Sequence, residues 1–304
     1  MVVGAAVGAF IASGPKASPA HERLVVRTVL RMPAASGVAQ LDGRAWVTDD
    51  LREVLIAFDP VTGRTLGSVH LNGRPVAVIA AFGSLWVANM VSNTIQEVSP
   101  RGMRVVRTIS VPNGPSSLAA SDGRVWFASI IASSLDAIDP STGALDPAIP
   151  VAGGAVRVAA GFGALWVTGT TDTLTEVRPR PGGGTPRLYS VTVGNGPIGV
   201  ATGEGGVWVA NASAHTVVRV NPSNLRVTQT YNAGGDPLVV AVSGGRVWVA
   251  DGAGQGLRTI FPGSGLRTVN LNAGPRALQA VGGDMWVATA NPGRVLAVRV
   301  ASSS

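Results

Sequence analysis

The sequence predicts an all-β chain folded as a seven-bladed β-propeller of four-stranded antiparallel blades, and three observations predict it. Its seven tryptophans, Trp46, Trp86, Trp126, Trp166, Trp208, Trp248 and Trp286, stand 40, 40, 40, 42, 40 and 38 residues apart. A period near 40 residues that carries only strand-type patterns corresponds to one blade. Glycine stands three residues before every Trp: Gly43, Gly83, Gly123, Gly163, Gly205, Gly245 and Gly283. Finally, a strand-like stretch precedes the first complete unit. LVVRTVL, residues 24 to 30, superposes on RVVRTIS, residues 104 to 110, while the last unit stops at its third strand, RVLAVRV, residues 294 to 300. The N-terminal strand should therefore complete the seventh blade and close the ring, which leaves no long unpaired edge.

Each element of the unit has a local reason. Eleven residues before the Trp stands Pro75, Pro115, Pro197, Pro237 or Pro275, with Ala35 and Ala155 in the first and fourth units. Proline lacks the N–H and opens a strand well, so these positions begin the innermost strand, where small residues dominate. The Asp42-Gly43 and Asp122-Gly123 pairs between apolar runs read as two-residue hairpins of type I′, a turn that needs positive φ at both central residues. After the Trp come a short polar loop, a third strand such as TIQEV or TVVRV, and X-Pro steps such as Asp59-Pro60 and Asp139-Pro140 that turn the chain to the outer strand. That outer strand carries a β-former seventeen residues before the next Trp: Val29, Val69, Ile109, Ile149, Val191, Tyr231 and Val269. The fourth unit loses one residue after Trp166 and gains three in RPRPGGGTPRLY, changes that map to loops.

Seven such units make one domain, residues 21–300, between a leader, 1–20, and a tail, 301–304. A body of this size buries roughly three quarters of the surface of its unfolded chain. That fits the absence of Cys, which excludes disulfides, thiolate metal sites and a Cys nucleophile. The net charge of +7 rests on arginines scattered over all repeats, with Lys16 the single lysine. Nucleic acid is not an expected partner, because no clustered basic stripe and no stacking aromatics stand out. No G-x-S-x-G elbow, zinc-type His pair or phosphate loop occurs. The expected state is a monomer.

Residues Val2 to Ala12 (VVGAAVGAFIA) form an apolar run too short to span a bilayer. The run matches a signal-peptide core, with Ser18-Pro19-Ala20 offering small residues for cleavage, although a basic n-region is missing. Either a start upstream of Met1 or the end of a membrane span in a longer protein would account for it. The expected location is extracytoplasmic, with any membrane contact made through this segment.

Phrases such as GSLWVANMVSNTIQEVSPRGMRVVRTISVPNGPSSLAAS resemble the YVTN-type β-propeller repeat, and are similar to the repeats of virginiamycin B lyase-like propellers, over residues 22 to 300. The YVTN-type resemblance implies an exported surface or periplasmic protein. The lyase group carries a His/Glu/His constellation near a divalent ion. This chain departs from that pattern, with only His21, His70 and His215, of which only His215 falls in a loop after a Trp.

In a propeller the loops leading into the innermost strand and those leaving the Trp strand share one face, around the mouth of the central channel. Three residues after each Trp stand Asp49, Asn89, Ser129, Gly169, Asn211, Asp251 and Thr289. Short polar side chains there either end the strand with Asx-type turns or, with Arg74, Arg157, Asp236 and Arg276 from the inbound loops, form a polar funnel for a ligand. The ligand expected is a small molecule, a glycan or a protein. Ca²⁺ or Mg²⁺ held by Asp49, Asp251 and the Asn oxygens is a further possibility. Three functions remain open on the sequence: a non-enzymatic binding scaffold, a metal-dependent lyase or lactone hydrolase, and the extracytoplasmic sensor domain of a longer membrane protein.

Overall fold

All seven hairpins between the innermost and Trp strands have positive φ at both central residues. The pairs run from Asp42 and Gly43 (51° and 71°) through Phe82–Gly83, Phe162–Gly163 and Glu204–Gly205 to Gly282 and Gly283 (56° and 86°). The type I′ geometry thus extends beyond the two Asp-Gly pairs to turns led by Phe and Glu. A Cβ added at Gly43, Gly83, Gly123 or Gly163 would meet nothing within 4 Å, so it is the backbone angle, not space, that demands glycine there.

The computed structural model describes residues 23–301, apart from 113, 181–183, 262–264 and 291. The leader, the tail beyond 301 and most of the GGG insertion lie outside the described residues. Seven four-stranded antiparallel sheets form the ring, and the described residues contain no helix. Blade 1 runs through Ala35–Leu41, Arg44–Asp49, Val54–Phe58 and Thr65–His70. Blades 2 to 6 follow within residues 75–110, 115–150, 157–192, 197–232 and 237–270. Blade 7 consists of Gly274–Val281, Asp284–Ala290 and Arg294–Ala301, and its outer strand is the N-terminal Arg23–Arg31. Arg23 lies opposite Ala301 and Arg31 opposite Arg294, so the closure expected from the sequence is present along the whole strand.

Two units depart from the common pattern. The outer strand of blade 3 shrinks to Ile149–Pro150, because Pro147 and Pro150 remove ladder donors from the segment. The innermost strand of blade 4 starts at Arg157, two residues later than the repeat register places it. Ala155 stands there in place of proline, and Gly153 and Gly154 before it both have positive φ.

The core is divided into seven sectors, each between two blades. Trp46 of blade 1 packs with Val78, Leu85 and Val87 of blade 2, and Trp166 of blade 4 packs with Val207 and Val209 of blade 5. The series ends where Trp286 of blade 7 meets Val38, Ala45 and Val47 of blade 1. The seven indoles are between 0% and 5% exposed, which makes them packing residues rather than a binding array. Six of them also donate Nε1–H to the carbonyl five residues earlier, as in Trp166 to Gly161 (3.0 Å) and Trp208 to Gly203 (3.0 Å), which ties the indole across its own hairpin.

Candidate binding site at the channel mouth

One backbone contact builds the mouth face. The N–H four residues after the Trp donates to the carbonyl of the inbound loop: Asp50 to Ala34 (2.9 Å), Met90 to Arg74 (3.1 Å), Ile130 to Gly114 (3.0 Å), Ala212 to Gly196 (2.8 Å) and Gly252 to Asp236 (2.9 Å). Thr170 makes the same contact with Gly153. Inbound and outbound loops therefore share one face, and the residue five after the Trp is left at the tip.

The polar ring three residues after each Trp is buried. Asp49, Asn89, Ser129, Asn211, Asp251 and Thr289 are 0–1% exposed. Asp49 Oδ1 accepts from the N–H groups of Leu51 (3.1 Å) and Arg52 (3.0 Å), an Asx-type turn. Asn89 donates to Gln96 Oε1 (3.0 Å), and Asn211 to the Val193 carbonyl (2.9 Å) and Thr216 Oγ1 (3.1 Å). Thr289 Oγ1 accepts from the Arg294 N–H (3.1 Å). A Cβ at Gly169 would lie 2.5 Å from the Gly153 carbonyl oxygen, so the fourth blade has no room for a polar side chain at that place. These side chains hold their own loops. Four of them also keep a buried oxygen without a hydrogen-bond partner: Asp49 Oδ2, Asn89 Oδ1, Ser129 Oγ and Asn211 Oδ1.

Asp251 is the most heavily engaged of the ring. Oδ1 accepts from the N–H groups of Asp236 (2.8 Å) and Gly254 (2.8 Å), and Oδ2 takes Arg258 Nη2 (2.6 Å) and Nε (3.1 Å). Burial pushes its pKa up, but the two N–H donors and Arg258 outweigh that and hold it below the ordinary aspartate value. A carboxyl whose pKa is depressed on folding contributes stability above its unfolded value, near 4, and loses it as pH falls through the folded value. Asp251→Asn should therefore cost about 2 kcal/mol at neutral pH, the scale of charge-assisted hydrogen bonds. In melting curves recorded against pH, the gap between variant and parent should close below about pH 4.

The structure assembles a cluster that the repeat register did not single out. Asp50, 6% exposed, receives Arg74 Nη2 at 3.0 Å from the inbound loop of blade 2, and Arg276 Nη1 approaches the same Oδ2 at 3.7 Å from blade 7. Arg276 belongs to the innermost strand rather than to a loop, and sits at a β-bulge between Pro275 and Ala277 that breaks the alternation of side chains. Arg74 and Arg276 remain half exposed, at 54% and 49%. Among the expected residues, these two are brought together. Asp50 was missed although it carries a signal, being the one charged residue at its place in the repeat, where the other units have Met90, Ile130, Thr170, Ala212, Gly252 and Ala290.

Arg157 and Asp236 lie apart from this cluster. Arg157 opens the innermost strand of blade 4 opposite Thr168 instead of standing in the loop before it; its side chain makes no hydrogen bond or ion pair among the described residues, and burial lowers its pKa. Asp236 lines an open depression of about 730 Å³ between blades 5 and 6, together with His215, Thr216 and Asn232. His215 Nδ1 contacts the Gly235 carbonyl. Asp49 and Asp251, the carboxylates considered for Ca²⁺ or Mg²⁺, stand on blades 1 and 6. Among the described residues no group of three or more Asp, Glu or His is placed to hold a metal ion.

No protein-family model matches the chain, and no curated protein matches it in sequence. Solved structures do resemble it. A catalytically inactive virginiamycin B lyase from Staphylococcus aureus, with quinupristin, superposes with a TM-score of 0.81 at 14% identity, over 92% of this chain and 100% of that one. A streptogramin B lyase gives 0.79 at 14% identity, over 91% and 98%. A chain of a mitotic checkpoint complex gives 0.79 at 12% identity, over 99% and 100%. Identities this low carry fold and not chemistry: the chain is a seven-bladed β-propeller whose structural neighbours include the virginiamycin B lyase-like propellers.

Proposed function

We propose that the protein is a non-enzymatic binding scaffold, exported or membrane-anchored through its N-terminal segment, that takes its ligand on the channel-mouth face. The observation that carries this reading is the Arg74–Asp50–Arg276 cluster. A buried carboxylate takes a hydrogen bond from Arg74 (3.0 Å) and draws Arg276 to 3.7 Å, so two half-exposed guanidiniums from the blades on either side converge on it with donors left for an incoming anion. Guanidinium forks suit carboxylates and phosphates, and holding them beforehand lowers the entropy lost on binding. The wider charge of +7 favours the encounter.

The test is a thermal-shift screen of small carboxylates, sugar acids and short peptides, since bound ligand raises the melting temperature with its occupancy. Arg74→Gln with Arg276→Gln should weaken any hit about tenfold or more, the scale of losing charge-assisted hydrogen bonds. Equal affinities in parent and variant for every hit would sink the reading. Fractionation of cells that make the chain with and without residues 2–20 tests the location.

A second reading, a metal-dependent lyase or lactone hydrolase, draws on the shared depression of His215 and Asp236 and on the likeness in fold to the lyases. It requires a melting-temperature rise with Mg²⁺, Mn²⁺ or Ca²⁺ that His215→Ala abolishes.

A further inference from the structure

The tips of the outbound loops differ around the ring. Five residues after the Trp, blades 1, 2 and 3 carry Leu51, Val91 and Ile131, exposed at 72%, 64% and 72%. The same place in blades 4, 5 and 6 carries Thr171, Ser213 and Ala253. Three large aliphatic side chains in succession on one arc of one face, followed by small ones, do not arise from blade packing, because none of the three belongs to a core sector. Exposed aliphatics grouped in this way mark an interaction surface.

The arc is continuous with the arginine cluster. Leu51 follows Asp50, which holds both guanidiniums, and the Arg74 carbonyl accepts from Met90, next to Val91. Arg74 therefore lies between the first two aliphatic tips, and Arg276 flanks the first from the blade 7 side. Arg52, 64% exposed, adds a third cation beside Leu51. Glu53 follows Arg52 on the same loop, and further round the face the loops of blades 4 and 6 carry Asp172 and Asp236.

We propose that blades 1 to 3 dock a segment of a partner protein that offers aliphatic and acidic side chains together. The inference rests on the mouth-face scaffold reading and names its partner class. Aliphatic tips supply the buried area, and the arginines between them select carboxylates and fix register. A flat anionic bilayer fits less well, since it would also press on Asp172 and Asp236.

The probe is a fluorescein-labelled decapeptide of alternating Leu and Glu, read by anisotropy, beside its Leu→Ser and Glu→Gln analogues and vesicles containing one third phosphatidylglycerol. The parent should bind the Leu/Glu peptide and neither analogue. Leu51→Ser with Val91→Ser and Ile131→Ser should weaken that binding about tenfold or more, with an unchanged melting temperature because the three sites are exposed. Binding should also weaken with salt. Failure of the parent to bind the peptide overturns the inference, as does equal binding by the triple-serine variant. If Arg74→Gln with Arg276→Gln still abolishes binding of small carboxylates in that case, the scaffold reading survives alone. Triple-serine loss of vesicle binding without loss of peptide binding would place a membrane on the arc and overturn the inference.

Discussion

Deleting residues 23–31 is expected to destabilise the propeller by on the order of 5 kcal/mol, which lowers its melting temperature by about 10 °C or more. The strand pairs with Arg294–Ala301 from end to end, so its loss strips a ladder of hydrogen bonds. Its side chains also reach both neighbouring sectors. Leu24 packs with the Trp248 core between blades 6 and 7, while Val29 and Leu30 pack with the Trp286 core between blades 7 and 1. Arg27 adds hydrogen bonds to the Pro60 and Val61 carbonyls of blade 1. The bare strand left behind would present unpaired N–H and C=O groups and recruit other chains, so aggregation should accompany the loss.

The register supplies the control. Because Arg23 faces Ala301, a short glycine-rich turn could join them, and residues 23–31 grafted after 301 should restore the parent melting temperature. A graft no more stable than the deletion would mean that closure is not what the strand provides.

Most of this ring was legible in the sequence because one residue type measured it. Trp marks the second strand, and fixed offsets from it locate the turn glycine, the opening proline and the outer β-former. The exceptions have local causes. Ile149 lies in the outer strand as its offset predicts, but Pro147 and Pro150 leave only two residues of strand there. The repeat offset predicts that the innermost strand of blade 4 starts at Ala155, and the two left-handed glycines before it delay that start to Arg157.

The site was less legible, since offsets along a strand say where a residue lies but not what its side chain meets. The ring from Asp49 to Thr289 was found as a ring; its burial depends on how each loop folds back over its own strand end. Asp251 illustrates this: Gly254 and Arg258 meet it at the spacings by which Arg52 meets Asp49 and Gln96 meets Asn89. That these contacts bury a charged, fully occupied carboxylate, with a further donor from Asp236 of the inbound loop, is not written in the spacing. Arg74 and Arg276 converge because blades 2 and 7 both adjoin blade 1, a consequence of ring closure. The acid that receives them broke the pattern at its position, and irregularities within a strong repeat are where a ligand-specific residue has freedom to sit.

Trp166→Ala is expected to cost about 4 kcal/mol, within the range for large-to-small changes at aromatic core positions. The indole is fully buried between blades 4 and 5 among Leu174, Val207, Val209 and Val220, so the cavity has a close-packed wall on both sides. Trp166→Phe should cost roughly half as much, losing part of the volume together with the bond to the Gly161 carbonyl. Division of the core into sectors makes a sharper prediction. Trp86 and Trp208 belong to clusters that share no residue, on opposite sides of the ring. Their alanine variants should therefore add within about 0.5 kcal/mol in denaturant titrations, provided unfolding stays cooperative. A double variant far less stable than the sum would show that strain travels round the closed ring. In that case the propeller would behave as one continuous core rather than seven adjoining ones, and closure by residues 23–31 would be the element that transmits the strain.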